Sequence, residues 1–241
     1  VKKLLALLQG DLKNITRDKM LFFILLSPLL MAVGFKIIIP VGEDILGEKF
    51  AFSLTPHYPF IIAFILMLIP LTLGTLIGFM ILEERDQGIL SYLSVTPLSR
   101  IKYLVYKLFS IILLSILGSV FALCFLQLLE IKFLSLLPVF FLAALEAPMM
   151  ALVIGAFADN KVEGFALAKG SGLFFFAPLI GYMLETNWRY LAGVFPTFWI
   201  GEVVTTVYSN FSFYLFKLGI GFVVHLLFIY LLVNRFKTRV D

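Results

Sequence analysis

Cysteine is almost missing from this chain: Cys124 stands alone among 241 residues. One thiol builds neither a disulfide framework nor a cysteine-ligated metal cluster, so both are excluded. Histidine is nearly as scarce, with His57 and His225 only. No His-Glu-x-x-His occurs, which removes the zinc-hydrolase pattern, and no apolar run carries a Gly-x-Ser-Gly. The phosphate-binding Gly-x-x-x-x-Gly-Lys-Ser/Thr loop is missing too. Ala168-Lys169-Gly170-Ser171-Gly172 echoes only part of it, so the chain is expected to be no enzyme and to hold no cofactor. Charged residues make up 14% of the chain, against about 25% in soluble domains. Short segments alternating apolar and polar, the mark of a membrane barrel, do not occur either.

What is present is apolar surface. Hydrophobic residues make up 61% and the mean hydropathy is +1.06. A chain of this size cannot hide so much apolar area within itself, so lipid must cover the rest. A membrane-crossing helix needs about 20 mostly apolar residues. Six windows qualify: Met20–Ile39, Phe60–Leu82, Tyr103–Leu129, Phe133–Phe157, Phe165–Leu184 and Phe213–Val233. The expected fold class is an all-α polytopic membrane protein, a single domain over residues 1–241.

Lys and Arg are retained on the cytoplasmic side. Of the 19 such residues, only Lys36, Lys49, Lys132, Arg189 and Lys217 lie outside if both termini are cytoplasmic. Both termini are therefore expected on the cytoplasmic side, and the pI near 9.1 reflects topology and anionic lipid rather than nucleic acid. Residues 1–19 place Val1, Leu5, Leu8, Leu12 and Ile15 on one helical face. That is an interfacial helix, which argues against a cleaved signal peptide despite the small residues Ala32 and Gly34.

Three connections are long. Ile37–Tyr58 and residues 185–210 are expected outside, the second as one or two interfacial or re-entrant helices with Trp188 and Trp199 at headgroup depth. The third, Glu83–Arg100, is a polar island between two spans. Gly74 and Gly78 form a GxxxG, expected to pack within the chain rather than between copies, and Gly219 and Gly221 lie in the last span. Pro70, Pro138, Pro148 and Pro178 are expected to kink their spans.

The island has a helical grammar of its own. Glu83, Glu84 and Asp86 are expected in a first turn, where the macrodipole favours acids. Ile89, Leu90 and Leu93 line one face, and Thr96-Pro97 reads as a cap and first-turn proline opening the next helix. The run Glu84-Arg85, Gly88-Ile89-Leu90, Leu93, Thr96-Pro97-Leu98-Ser99-Arg100 resembles the signature of ABC-2-type transporter permeases. It departs from that family where Ile89 and Ser91 stand in place of a frequent Thr and Glu. The interfacial helix, the six spans and a short loop at Asp159–Glu163 fit the same layout.

The resemblance implies an ABC-2, type V exporter-like fold, set in the inner membrane of a prokaryote, in which residues 83–100 are a cytoplasmic coupling helix. It implies a half-transporter: two permease subunits pair, and two copies of a separate ATPase subunit, carrying the ATP and Mg, dock on the coupling helices. The coupling residues would be Glu84, Arg85, Gly88, Ile89, Leu90, Leu93, Thr96, Pro97 and Arg100. Compact permeases of this appearance resemble those of drug exporters, including the fluoroquinolone-export type, and exporters of amphipathic peptides. Lipid or polysaccharide export is the alternative within the same superfamily.

Ionisable groups at mid-membrane are costly and point to function. Glu146 and His225 lie at similar depth in the fourth and sixth spans, candidates for a pair on the translocation path or for a bond that fixes register. Lys107 and Lys217, nearer span ends, are expected to snorkel. The rival from another class is an intramembrane hydrolase. Glu83-Glu84 resembles the paired glutamates of Abi-type proteases, but Gly88 stands where their Arg belongs. The Ala-Arg-Gly signatures of vitamin-importer coupling subunits are absent.

Overall fold

Continuous apolar runs satisfy their backbone groups in lipid only as helices, and helices are what form. In the computed structural model the described residues are 2–89, 100–128, 133–207 and 211–240, and no strand occurs among them. The helices are α1 (Lys2–Arg17), α2 (Lys19–Leu25), α3 (Ser27–Phe50), α4 (Tyr58–Asp86), α5 (Arg100–Leu126), α6 (Phe133–Ala144), α7 (Glu146–Phe157), α8 (Lys161–Gly170), α9 (Phe176–Met183), α10 (Pro196–Thr206) and α11 (Phe211–Val240). Among the described residues, five helical units are long and apolar enough to cross a membrane: Thr55–Asp86, Ile101–Leu126, Ser135–Phe157, Lys161–Met183 and Phe211–Arg239. The pair α2–α3, bent by 54°, makes a sixth if counted as one span.

Breaks between helices have local causes. Asp18 ends α1 and caps α2, its carboxylate accepting from Met20 N at 2.8 Å and Leu21 N at 3.3 Å. Pro148 has no N–H for the Ala144 carbonyl and its ring crowds that turn, and the helix breaks there, at Leu145 between α6 and α7. Pro178 acts likewise on Phe174. The chain runs as a 3-10 helix from Ser171 to Phe175 between α8 and α9, and the Phe174 carbonyl takes a hydrogen bond from Thr197 Oγ1 at 2.7 Å.

Two boundaries differ from the sequence reading. The first half of the expected Ile37–Tyr58 loop is helix, since α3 passes through Pro40 and stops only at Ala51, in the left-handed region with φ 50°. Glu43 then holds the returning chain, accepting from Ser53 Oγ at 2.8 Å and Leu54 N at 2.9 Å. Likewise Glu83, Glu84 and Asp86 do not open a new helix: they form the last turn of α4. Nothing breaks the ladder before Gly88, whose φ of 71° needs no Cβ and turns the chain away.

The centre of the bundle is α4 against α7. A Cβ on Gly74 would lie 2.3 Å from the Ala147 carbonyl oxygen, and one on Gly78 would lie 2.8 Å from Ile154 Cβ. The GxxxG therefore packs within the chain, as expected. Around this core the outer spans present apolar stripes outward. On α5 the stripe is Val105, Phe109, Leu113, Leu117 and Phe121 at four-residue spacing, one face of a helix, and Cys124 is exposed on the same helix. Residues 185–210 contain a 3-10 helix at Asn187–Val194 and then α10. That helix is buried against α4, α6, α9 and α11 rather than lying on a surface, with Trp199 Nε1 donating to the Gly193 carbonyl at 2.7 Å. Trp188 is exposed, whereas Trp199, expected with it at headgroup depth, is buried inside the protein.

Candidate functional site

Among the described residues, three charged clusters lie along the bundle. The first, at the end where α4 stops (the basal end), gathers residues from nearly every neighbouring element. Lys107 of α5 is fully buried between Asp11 Oδ1 of α1 at 2.6 Å and Glu84 Oε1 of α4 at 3.0 Å. Tyr106 OH donates to the other oxygen of Asp11 at 3.1 Å. Lys161, at the start of α8, bonds Glu83 and also Asp18 Oδ2, the latter at 3.3 Å. Arg85 Nη2 donates to the carbonyls of Ala158 and Asp159, each at 2.9 Å. Arg239 of α11 reaches the Ala156 carbonyl at 2.8 Å, the Ala158 carbonyl at 3.1 Å and the Asp159 carboxylate.

The logic is that of helix ends. Acids in the last turn of α4 oppose its macrodipole, and Lys107 and Lys161 offset them. The last carbonyls of α7 lack intrahelical donors, and Arg85 and Arg239 supply them. Partial burial would raise the Asp18 carboxyl, but the Leu21 and Met20 N–H donors and Lys161 outweigh it and hold the group below its ordinary value. Beside this network is an open cleft of 490 Å³ lined by Asn14, Arg17, Asp18, Lys19, Glu83, Glu84 and Gln87.

Of the expected coupling residues, Glu84 and Arg85 therefore face inward, Gly88 forms the turn, Ile89 is half-buried and Arg100 opens α5. Leu90, Leu93, Thr96 and Pro97 lie outside the described residues. Lys107 does not snorkel, because Asp11 and Glu84 give its ammonium a charged site inside the protein.

The second cluster joins Glu146 and His225. Nε2 of His225 lies 3.1 Å from Glu146 Oε1, and both residues are buried. Nδ1 lies 2.7 Å from the Gly221 carbonyl. A carbonyl only accepts, so Nδ1 carries a proton. A second proton must then lie between Nε2 and Oε1, on one or the other, and the pair is neutral as a unit in both forms. Next to Glu146 is a small cavity of 110 Å³ bounded by Leu71, Met149, Phe174 and Phe228, among others.

The third cluster is at the opposite, distal end. Glu202 Oε2 of α10 accepts from Lys217 Nζ at 2.6 Å and Arg189 Nη2 at 3.4 Å. Lys217 is thus paired rather than snorkelling, and Glu202 and Lys217 are 5% and 9% exposed. Arg189 also donates to Tyr190 OH at 3.2 Å. Among the described residues no group of three or more His, Cys, Asp or Glu side chains is arranged to hold a metal ion.

The family model for fluoroquinolones export permease proteins like Rv2686c matches residues 11–233. The chain belongs to that family. Two relatives are the fluoroquinolones export permease proteins MT2760 and Rv2686c of Mycobacterium tuberculosis, from strains CDC 1551 / Oshkosh and ATCC 25618 / H37Rv. Each is 25% identical over 241 residues, covering 99% of this chain and 95% of the relative. No solved structure matches the chain. An export-permease family agrees with the ABC-2-type resemblance and makes the chain a multi-pass membrane protein of the transporter class.

Sequence reasoning missed Asp11, Asp18, Lys161 and Arg239 at the basal end and the Arg189–Glu202–Lys217 set at the distal end. A usable signal was present for the first group. Asp11 precedes Ile15 by one helical turn, so it shares the inward face of α1. For the second, a lone acid between two lone bases in otherwise uncharged sequence was the clue.

Proposed function

We propose that the chain is the permease subunit of an ATP-driven exporter that moves amphipathic or hydrophobic drug-like cargo out of the cytoplasm. Two copies of a separate ATPase subunit supply ATP and Mg, and a second permease subunit completes the path. The chain crosses the inner membrane six times, α2–α3 counted as one span, with both termini cytoplasmic. The observation that carries the reading is the family match over residues 11–233. The drug class comes from the names of the relatives.

The basal network supports a coupling role. Glu83, Glu84 and Arg85 bind α8, α5 and the end of α7 respectively. They stand at the root of the Glu83–Arg100 insert, so a push on Ile89, Leu90, Leu93, Thr96, Pro97 or Arg100 would reach several helices at once. Glu84, Arg85 and Gly88 are then the frame of the coupling element rather than its contact surface. Glu146 and His225 belong to the cargo path in this reading, beside the cavity at the α6–α7 break.

The test is co-expression with the candidate ATPase, purification, and drug uptake into inverted vesicles. The chain alone should hydrolyse no ATP, and the complex should hydrolyse it and accumulate a fluoroquinolone. Leu93→Glu should release the ATPase. Glu146→Gln should keep the ATPase bound and lose transport. Hydrolysis by the isolated chain, or transport unchanged without the ATPase, would overturn the reading.

A further inference from the structure

The distal cluster opens onto a cavity of 270 Å³, walled by Phe60, Pro178 and Tyr182 with Arg189, Glu202 and Lys217 at its polar side. Two cations share one carboxylate there, a net of +1 at a site where Glu202 and Lys217 are each more than nine-tenths buried. Both cations reach the same oxygen, Glu202 Oε2. An ammonium has three donors, and among the described residues Glu202 is the one side chain paired with Lys217. Lys217 and Glu202 are buried and Arg189 is partly exposed; the set carries one cation more than its anions and borders the cavity, so a second anion would complete it.

The opposite wall is aromatic. Phe60 and Tyr182 stack with centroids 4.5 Å apart. Tyr182 is hydrogen-bonded to His57, and His57 in turn stacks on Phe52 at 4.9 Å with the rings 7° from parallel. A flat ring system against Phe60 and Tyr182 would project a substituent toward Lys217 and Arg189. The volume lies just under the ~300 Å³ at which pockets for drug-sized ligands begin. A two-ring head fits, with bulkier substituents left in the mouth.

We propose that this cavity is a binding site for a planar aromatic carboxylate, its acid group bound by Lys217 and Arg189 and its ring by Phe60 and Tyr182. The assignment as a cargo site, near the point of release, rests on the export reading. Glu202 then has two roles: it holds the cations in place when the site is empty and competes with the ligand for them. Competition of this kind weakens binding and lets cargo leave.

The test uses the full chain in lipid nanodiscs, with naphthoate as ligand and the isosteric neutral naphthamide as control. Naphthoate should bind saturably and at least tenfold more tightly than naphthamide. Charge-assisted bonds are worth about one tenfold step or more, so Lys217→Gln should weaken naphthoate about tenfold and leave naphthamide unchanged. Glu202→Gln, which removes the competitor, should tighten naphthoate, and Tyr182→Leu should weaken both ligands. A merely structural ion cluster predicts no preference for acid over amide in the parent protein, a result needing no variant, and that outcome would overturn the proposal. So would equal losses for both ligands in Lys217→Gln. Transport separates this idea from the export reading. Fluoroquinolone export by the assembled complex that is undiminished in Lys217→Gln and Tyr182→Leu refutes the cargo site alone. Acid-selective binding without ATP-driven export by the complex would instead count against the export reading and leave the binding site established.

Discussion

The two ends of the bundle bury charge in opposite proportions. At the basal end one cation, Lys107, serves two carboxyl groups, Asp11 and Glu84. At the distal end one carboxylate, Glu202, serves two cations, Arg189 and Lys217. This runs against the distribution of Lys and Arg over the whole sequence, which are concentrated toward the basal end. Surface charge and buried charge therefore answer different demands. Surface Lys and Arg set orientation in the bilayer, whereas the buried sets hold helix against helix. The ends also differ in access. Lys107 is sealed, while the distal cations border a cavity. A sealed cluster locks elements that must move together, and an open one is available to a ligand.

Removing one buried cation at each end should break the symmetry of this comparison, with the largest effect at the basal end. Lys107→Met leaves the buried Glu84 and the half-buried Asp11 without their cation, and losing one partner of a buried pair costs about 3–5 kcal/mol. Lys217→Met leaves Glu202 with Arg189 still 3.4 Å away, so a loss of about 1–3 kcal/mol is expected. Denaturant unfolding in detergent, followed by circular dichroism, measures both. Equal losses would mean that the basal cluster is not the tighter lock.

A smaller contrast separates the centre of the bundle from its rim. Gly74→Ala drives a methyl group into the Ala147 backbone, at 2.3 Å from its oxygen, and must push α4 from α7. Overpacking of this kind costs about 1–3 kcal/mol. Gly219→Ala meets nothing within 4 Å and should leave stability unchanged. If Gly219→Ala instead disrupted assembly with a second permease subunit without altering the monomer, that face would be an interface rather than a lipid surface.

Much of the fold was legible because it rests on local pattern. Long apolar runs gave the spans, the Gly74–Gly78 spacing gave the α4–α7 contact, and the depth of Glu146 and His225 marked them as candidate partners. The coupling insert was legible only as a motif, since four of its named residues lie outside the described residues. What could not be read was rotation about each helix axis and pairing over long separations. Lys107 was given the wrong surroundings, because Asp11 is 96 residues away in the chain. The acids at Glu83–Asp86 were given to the wrong helix because charge was taken as the boundary. The actual boundary is conformational, the positive φ of Gly88.

The smallest expected effect tests whether the outer part of the basal network is held by charge or by capping. Asp18 does both: it caps α2 through Met20 N and Leu21 N and pairs with Lys161. Asn caps nearly as well as Asp, so Asp18→Asn removes the charge and keeps the cap. A partly exposed pair is worth about 0–1 kcal/mol, and the loss at neutral pH should fall in that range. The native Asp18 carboxyl is held below its ordinary value, so its ionic contribution is complete above the ordinary carboxylate range, near pH ~3.9. It fades as pH falls through the lowered native value. Parent and Asp18→Asn stabilities should therefore converge in acid, while Asp18→Ala, which loses the cap as well, should stay about 1 kcal/mol below both. A gap between parent and Asp18→Asn that persists unchanged at low pH would assign the contribution to the shape of the cap and remove Lys161 from the lock.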